Sequence, residues 1–468
     1  MKCKKILTAL LAAACTMSGC HGDLDIMQDN KLSASNMWID ESDAETATYG
    51  IYLYMRDALK SVHDIYLCWG EFRNGLWGAG TNKTLSGVDQ TQVRTSTMSS
   101  SNAYADWSVM YKTVNQANLI LKHVPEMGIS ESVRNFSLGN AYFSRAWCYF
   151  WIARIWGDAP LALTGYESTG GDLYLPRAPK AEIFARIESD LTEAERYVTD
   201  NSDKAVATPA AVQMLKADYA LWMYRVAGGG SSYLTMAEKA IEALNLSASR
   251  LESDYAQVFS SANKLNKEVI FAVHQANGEA VNGPGYYLGW NSNYVEAAYQ
   301  NNPVPITGGN QWWWYTDRYK ALLTSVEGDT RTKLTYNRAD YGTTIKSIEW
   351  TEKGVGQMIS GARIFDSDFI LYRYAEAFLM DAEIKYYRKD YGGALTALGE
   401  IRVSTLVTMF KKIKFDTHET LGFGHVRLPE TEMHTTAMWW TLPDTLAARF
   451  ESDTLKNGMM GVANLLRI

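Results

Sequence analysis

Paired helices are the feature with the strongest structural consequence in this sequence. Apolar residues recur at the three- and four-residue spacing of amphipathic helices, as in Trp107, Tyr111, Val114 and Leu121. The first helix of each predicted pair mixes alanine with aromatic residues, which lets two helices approach closely. The predicted pairs are 139–156 with 179–198, 208–224 with 234–246, and 370–387 with 393–407. We therefore expect a fold built mainly from helices that pack against their neighbours in sequence.

The pairs are spaced too irregularly for a simple repeat protein. Their composition resembles that of tetratricopeptide units, which recur every ~34 residues. Here successive pairs begin at residues 139, 208 and 370, so long insertions separate them. We predict an all-α fold of tetratricopeptide-like helix pairs with long loop-rich insertions. A short strand at 269–273 is the expected exception.

Two insertions, at about 69–105 and 276–330, combine turn residues with aromatic side chains. Loops of this length inside a compact domain are usually functional or disordered. Disordered segments are poor in aromatic residues, and these loops hold many of the 15 tryptophans and 28 tyrosines of the chain. We therefore expect the insertions to be ordered and functional.

The N-terminus predicts export followed by lipid anchoring. Three lysines precede an apolar run at 6–16 that is too short to span a bilayer, and small residues then lead to Cys20. This order resembles a bacterial lipoprotein signal, which implies that residues 1–19 are a signal peptide and that Cys20 is lipidated. Two or more acyl chains would attach residues 20–468, predicted to be one helical domain, stably to a membrane. The alternative is an ordinary secreted protein in which Cys20 is incidental.

Charge and cysteine content exclude several classes of protein. The formal net charge of −7 becomes −10 when the signal peptide and its three lysines are removed, which disfavours a nucleic-acid partner. Cys68 and Cys148 are then the only unmodified cysteines, and Cys148 lies in an apolar helical stretch where a buried thiol is expected. The fold is therefore not built on disulfide bonds.

The sequence contains no motif that indicates catalysis. None of the seven histidines has a metal-ligand spacing, and no cysteine cluster, nucleophile elbow or phosphate loop is present. We expect no enzyme, no metal and no cofactor. A glycosidase pair hidden among the 52 carboxylates is the alternative that sequence leaves open.

Several segments, in chain order, resemble the motifs of one family. These are the helix that carries Trp107 and Asn118, the aromatic stretch 141–160, the Asp329–Arg331 pair, and the helix that carries Arg373 and Glu376. Together they resemble the SusD/RagB outer-membrane nutrient-binding lipoproteins of Bacteroidetes. The resemblance extends to about residue 405, and the segment of about 408–468 lacks the closing motifs of that family. A divergent branch, a truncation or a gene error would each account for this.

The resemblance implies a lipid-anchored protein on the outer face of the outer membrane. Such a protein covers a SusC-like TonB-dependent transporter, captures a glycan and delivers it without catalysis. Some members of the family take a peptide instead. A tetratricopeptide-like scaffold that binds a peptide for protein interaction is a further alternative.

Sugar rings dock their C–H faces on aromatic side chains, while amides and charged groups bond the hydroxyls, usually in a concave site. Glu71 and Arg73 could equally form a structural ion pair. Three consecutive tryptophans on a helix would spread over ~200°, so they could not all face one ligand. The predicted ligand-binding residues are Glu71, Arg73, Asn74, Trp77, Tyr287, Trp290, Asn291, Tyr294, Trp312, Trp313 and Trp314.

Overall fold

The computed structural model describes residues 37–403, apart from 63–64, 71–75, 81–87, 96, 169–173, 280–281, 310, 312 and 326–327. This part of the chain contains thirteen α-helices and ten short strands. The helices are α1 Glu41–Lys60, α2 Ile65–Gly70, α3 Val88–Thr95, α4 Ser108–His123, α5 Glu131–Trp156, α6 Lys180–Tyr197, α7 Pro209–Arg225, α8 Ser231–Ala243, α9 Tyr255–Val258, α10 Asp317–Leu323, α11 Thr330–Thr335, α12 Tyr374–Tyr387 and α13 Tyr391–Val403. The strands are β1 Trp77–Ala79, β2 Ala159–Pro160, β3 Arg177–Ala178, β4 Val269–Val273, β5 Trp313–Tyr315, β6 Asn337–Ala339, β7 Ile348–Trp350, β8 Gln357–Ile359, β9 Ala362–Ile364 and β10 Phe369–Arg373.

The all-α prediction is confirmed, and the helices pack in the predicted pairs. Helix α5 packs on α6, α7 on α8, and α12 on α13, while α1 lies against α4 and α5. One large hydrophobic core runs through these elements. None of the described helices combines the length and the apolarity that a membrane crossing requires. The described residues also contain no group of three or more potential metal ligands.

Helix α5 shows how local sequence produces this packing. It starts at residue 131, earlier than predicted, and ends at Trp156, just before Gly157, whose φ of 73° suits a residue without a Cβ. Gly139 allows close contact with α6, because a Cβ there would lie 2.7 Å from the Cγ2 atom of Val198. The helix is buried on most of its surface, and Cys148 is fully buried as expected. Neither Cys68 nor Cys148 forms a disulfide bond within the described part of the chain.

Buried ion pairs connect the helices to one another. Arg145 on α5 donates two hydrogen bonds to Asp190 on α6, at 2.8 and 2.7 Å, and a third to Asn118 on α4. Arg225 on α7 pairs with Glu383 on α12 at 3.0 Å. Buried charges are tolerated only when they are paired, so these contacts fix the relative positions of the helices.

The predicted helix at 370–387 needs a correction at its start. Residues Phe369–Arg373 form strand β10, and helix α12 begins only at Tyr374. Strand β10 pairs antiparallel with β4, the predicted strand at 269–273, in which all five residues are buried. A short apolar run is compatible with either structure, and here a partner strand about a hundred residues away decides it.

Much of the region from 282 to 365 packs around a small core of its own, whereas strand β5 and helix α10 within it belong to the main core. Trp290, Val295, Val304, Ile348 and Trp350 form this second cluster, separate from the main core. The pairs β6–β7 and β8–β9 belong to the same region. We call residues 282–365 the insertion module.

Candidate functional site

The two regions predicted to bind ligand are joined in the structure. Strand β1, from the first insertion, pairs antiparallel with β5, from the second, and Trp77 lies directly opposite Tyr315. Their rings contact edge to face, with centroids 4.6 Å apart. The backbone N–H and the hydroxyl of Thr316 both donate to the carbonyl of Leu76, at 2.8 and 3.0 Å. Segments 240 residues apart in sequence therefore form one wall.

This wall borders a cleft of about 220 Å³ between the helical scaffold and the insertion module. Its other walls come from α2, from the loop that follows α9, and from strand β10. Most of the lining is apolar, and it includes Leu59, Leu67, Trp77, Trp151, Leu288 and Tyr315. Leu67 and Pro284 are partly exposed, so the cleft reaches solvent. We call it the central cleft.

A β-bulge in β10 lets consecutive residues form the floor of the cleft. In a regular strand, neighbouring side chains point to opposite faces. The register of β10 against β4 shifts between Ile370 and Tyr372, so one residue of β10 lacks a partner. Phe369, Ile370 and Leu371 all line the central cleft. Bulges frequently redirect side chains beside binding sites in this way.

Asp368 provides a polar group at the start of the floor. Its Oδ1 atom accepts a hydrogen bond from the backbone N–H of Gln275 at 2.9 Å and lies 3.1 Å from Nδ1 of His274. The hydrogen bond to Asp368 raises the pKa of His274 above its ordinary value, against the opposing effect of partial burial. Lys264 lies 3.6 Å from the same carboxylate. Within the described part of the chain, Oδ2 of Asp368 has no hydrogen-bond partner.

Arg373 provides a polar group at the other end of the floor. Its Nη1 atom donates to Oε1 of Glu268 at 2.7 Å, whereas Nη2 is buried without an acceptor among the described residues. The guanidinium carbon lies 5.8 Å from the ring centre of Phe259. Nζ of Lys353 lies 4.2 Å from the same ring, so two cations converge on Phe259.

The structure corrects the prediction for three of the tryptophans. Trp290, Trp313 and Trp314 are at most 1% exposed, and none of them lines the central cleft. Trp290 donates through Nε1 to the carbonyl of Glu349 and Trp314 donates to Oε2 of the same residue, each at 2.7 Å. Residues 313–315 form strand β5 instead of a helix, and both tryptophans pack inward. Trp290 packs in the small core of the insertion module, whereas Trp313 and Trp314 belong to the main core, and all three are buried away from the cleft.

The other predicted residues have three different outcomes. Trp77 is 3% exposed and lines the central cleft. Tyr287, Asn291 and Tyr294 are half-buried on the insertion module, and their role in binding stays a prediction. Cys20, Glu71, Arg73, Asn74 and Trp312 lie outside the described residues, as do the signal peptide and the segment of about 408–468.

Sequence analysis missed the polar groups of the cleft floor. Asp368 and Arg373 belong to a segment predicted in part as helix, where their positions at the two ends of a strand could not be recognised. It also missed Tyr299 and Tyr341, which are half-buried and stack with centroids 3.7 Å apart. The only sequence signal for Tyr299 and Tyr341 was the high aromatic content of the insertion.

Comparison with known families finds a match for part of the helical scaffold. Residues 79–222 match a SusD-like family described as "Starch-binding associating with outer membrane". SusD-like protein P38 of Formosa agariphila is 26% identical over 190 residues, which is 41% of this chain and 36% of that protein. The match thus spans about a third of the length of that curated relative. A 69-residue segment is also 39% identical to the uncharacterised ATP-dependent helicase YprA of Bacillus subtilis, covering 15% of this chain and 9% of the helicase.

Solved structures match a larger share of the chain. The crystal structure of a SusD superfamily protein from Bacteroides fragilis has 26% sequence identity and a TM-score of 0.67, and the match covers 79% of each chain. Surface glycan-binding protein A from Bacteroides thetaiotaomicron, solved in complex with laminarihexaose, has 17% identity and a TM-score of 0.64. That match covers 78% of this chain and 83% of the other, and at this identity it indicates a shared fold.

Proposed function

Because the chain belongs to the SusD/RagB family, we propose that it is a glycan-binding lipoprotein of the bacterial outer membrane. One observation carries the proposal: the β1–β5 pair unites two aromatic insertions at the wall of a cleft. A family described as starch-binding matches the adjoining helices, and a structural neighbour was solved with a glucan oligosaccharide. We propose binding without catalysis.

The physical properties of the central cleft support a sugar ligand. Apolar walls with a few polar groups at defined positions are typical of small-molecule sites. The rings of Trp77 and Tyr315 are part of the apolar lining, and Asp368 and Arg373 are among its polar residues. Tyr287 and Tyr294 on the insertion module would contact the part of the glycan outside the cleft. We expect modest affinity, because a flexible oligosaccharide loses conformational entropy on binding.

Binding to a glycan panel tests this proposal directly. Purified residues 21–468 would be titrated with oligosaccharides of several sugar classes by isothermal titration calorimetry. Tyr287→Ala and Tyr294→Ala should each weaken binding about tenfold, equivalent to about 1.4 kcal/mol. Tyr49→Ala is the matched control, because Tyr49 is exposed on helix α1 in the scaffold. Absence of any glycan binding would reject the proposal, and unchanged binding in both variants would reject these two residues as the site.

The cellular part of the proposal concerns anchoring and delivery. We propose that Cys20 carries the lipid, that the protein faces the exterior, and that it hands the glycan to a SusC-like TonB-dependent transporter. Cys20→Ala should release the protein from the membrane fraction and abolish labelling by a fatty-acid analogue. The wild-type protein should co-purify with an outer-membrane barrel. Membrane attachment without acyl labelling would contradict the anchor.

A peptide ligand is the second candidate. It is favoured by the mostly apolar walls of the central cleft and by the carboxylate and guanidinium at opposite ends of its floor. A peptide library should be titrated alongside the glycans. Saturable binding of peptides together with no binding of glycans would favour this alternative. Release of reducing ends from a glycan would instead indicate a glycosidase.

A further inference from the structure

Two tyrosines on the insertion module belong to a stack of rings that begins in the small core. The rings of Tyr299 and Tyr341 lie 3.7 Å apart between centroids, at 15° to each other, and both side chains are half-buried. Trp350, which is 5% exposed and part of the small core, lies 5.7 Å from Tyr341. Among the described residues, Tyr299 contacts no ring other than Tyr341. Tyr299 is therefore the outermost of the three rings.

A second parallel pair of tyrosines, on the helical scaffold, shows how such a stack is usually covered. Tyr142 and Tyr197 lie 6.1 Å apart at 6° to each other and are also half-buried. The guanidinium carbon of Arg196 lies 5.0 Å from the ring centre of Tyr197, and that of Arg145 lies 5.7 Å from Tyr142. In the part of the chain that the structure describes, no cation lies over Tyr299. The exposed part of Tyr299 is thus covered by neither a ring nor a cation.

An exposed carboxylate lies beside the tyrosine stack. Val295 and Gly342 form an antiparallel bridge, next to which the N–H of Glu296 donates to the carbonyl of Tyr341 at 2.8 Å. Glu296 is therefore opposite Tyr341, and opposite residues of an antiparallel pair share one face. Val295 points to the other face and is 1% exposed in the small core, whereas Glu296 is exposed. The ring of Tyr341 and the carboxylate of Glu296 are thus on the outer face of the module.

Hydrogen bonds hold the segment that carries Tyr299 in place. The N–H of Tyr299 donates to the carbonyl of Glu296 at 2.9 Å, and its own carbonyl accepts from the N–H of Val304 at 3.1 Å. The side-chain amide of Gln300 donates to the carbonyl of Val295 at 2.8 Å. Because the segment is already ordered, little binding free energy is lost in arranging it around a ligand.

A flat ring beside a carboxylate suits a sugar better than it suits a protein partner. A sugar ring has a flat patch of C–H groups and hydroxyls at its rim, and an ionised carboxylate can accept from two neighbouring hydroxyls. A protein partner needs a large surface with an apolar centre. The exposed neighbours Ala297 and Ala298 are small, and the described part of 282–350 contains no large apolar side chain that is exposed.

We propose that Tyr299 is a platform on which one sugar ring stacks, with Glu296 accepting hydrogen bonds from two adjacent hydroxyls of that ring. This inference rests on the proposed glycan function and adds a binding position outside the central cleft, which neither residue lines. Tyr294, two residues before Glu296, belongs to the same side of the module and would contact the next sugar of the chain.

Two substitutions of Tyr299 separate stacking from packing. Residues 21–468 would be titrated with laminarihexaose, maltohexaose, cellohexaose and xylohexaose by calorimetry. Tyr299→Leu keeps an apolar side chain against the small core but removes the flat ring, so each hexasaccharide that binds should bind about tenfold more weakly. Tyr299→Phe keeps the ring and should bind like the unaltered protein. A loss in Tyr299→Phe as large as in Tyr299→Leu would overturn the stacking.

Tyr197→Leu is the matched control for the ring. Tyr197 belongs to the covered stack of the scaffold, so its substitution should leave binding unchanged. An equal loss of binding in Tyr197→Leu and Tyr299→Leu would overturn the proposal.

Glu296→Gln tests the carboxylate without a risk of misfolding, because the side chain is exposed. Glutamine keeps the size of the side chain but leaves one acceptor oxygen without charge, so binding should weaken about threefold at an unchanged thermal midpoint. Unchanged binding in this variant would overturn the role of Glu296.

Amide hydrogen exchange locates the bound sugar. At a saturating concentration of the hexasaccharide that binds most tightly, exchange should slow in residues 294–300 and 341–343. Slowing confined to the lining of the central cleft would overturn this inference and leave the proposed function intact. Absence of binding of every oligosaccharide by the unaltered protein would overturn both.

Discussion

The helical scaffold and the insertion module are both rich in aromatic residues, but they hold their rings differently. In the scaffold, helix α5 buries Trp147, Tyr149 and Phe150 completely between neighbouring helices. In the insertion module, Trp290 and Trp314 are buried while several tyrosines, such as Tyr287, Tyr294 and Tyr341, stay half-buried. Aromatic content is therefore a poor guide to which rings a ligand can reach.

The difference follows from how each region provides hydrogen-bond partners for its buried polar groups. The scaffold has long helices whose backbone hydrogen bonds are internal, and its buried charges are paired across helices, as in Arg145 with Asp190. The insertion module has short elements, and Glu349 serves several rings at once: it accepts from Trp290, Trp314 and Tyr336. Tryptophan has one donor that a single buried acceptor can satisfy, whereas a tyrosine hydroxyl both donates and accepts and is readily hydrated at the surface.

The largest expected effect tests the scaffold side of this comparison. Arg145→Ala removes both hydrogen bonds to Asp190 and leaves that carboxylate buried without its main partner. We expect the free energy of unfolding to fall by about 3–5 kcal/mol, measured by urea denaturation of the whole chain. Arg186→Ala is the control, because Arg186 contacts the same Asp190 at 3.5 Å from a partly exposed position and should cost only about 0–1 kcal/mol. A similar fall in the free energy of unfolding in both variants would show that the buried Arg145–Asp190 pair stabilises the fold no more than the exposed contact does.

A second substitution asks whether the insertion module loses stability on its own. Trp290→Ala empties the centre of the small cluster and removes the hydrogen bond to Glu349, with an expected cost of about 3–5 kcal/mol. Because this cluster is separate from the main core, amide hydrogen exchange should rise in residues 290–306 and in β6 and β7, and stay low in β5, α10 and α4–α8. Tyr294→Ala, at the half-exposed edge of the same cluster, should change exchange much less. Uniform acceleration across the chain would contradict the division into two regions.

The smallest expected effect is a change of thermal stability with pH. It arises at the boundary between the regions, where His274 contacts Asp368. The pKa of His274 is raised by its hydrogen bond to Asp368, so protonated His274 stabilises the folded state at a pH below the unfolded value of about 6.5. This contribution is lost as the pH rises from about 6.5 through the raised folded pKa. The thermal midpoint should therefore decrease slightly over that window, and His274→Gln should remove the decrease. If the thermal midpoint of His274→Gln falls with pH as much as that of the unaltered protein, titratable groups other than His274 cause the decrease.

Much of the scaffold could be predicted from local sequence. The helix predicted from residue 208 starts there as α7, and the hydroxyl oxygen of its N-cap Thr208 accepts from the N–H of Ala211 at 3.1 Å. The strand at 269–273 and the burial of Cys148 were also predicted correctly. Each of these depends on residues within one or two turns or on a single apolar run, which the chain encodes directly. The start of α12 was wrong because β10 depends on a distant partner.

The candidate site was only partly predictable, because its parts come from distant segments. Composition identified the two insertions, yet only the pairing of β1 with β5 brought them to one wall. Three predicted tryptophans packed inward, since burial of a large apolar ring stabilises the fold more than exposure does. Asp368 and Arg373 carried no recognisable signal before the strand between them was known.

Periodicity, capping residues and composition alone determined that this chain forms paired helices with aromatic insertions, because these properties depend on neighbours within a few residues. The tertiary structure decided which rings are buried, where the insertions meet and which polar residues line one cleft. Those outcomes depend on contacts between segments as far as 240 residues apart, such as Thr316 with Leu76, whose geometry no local pattern records.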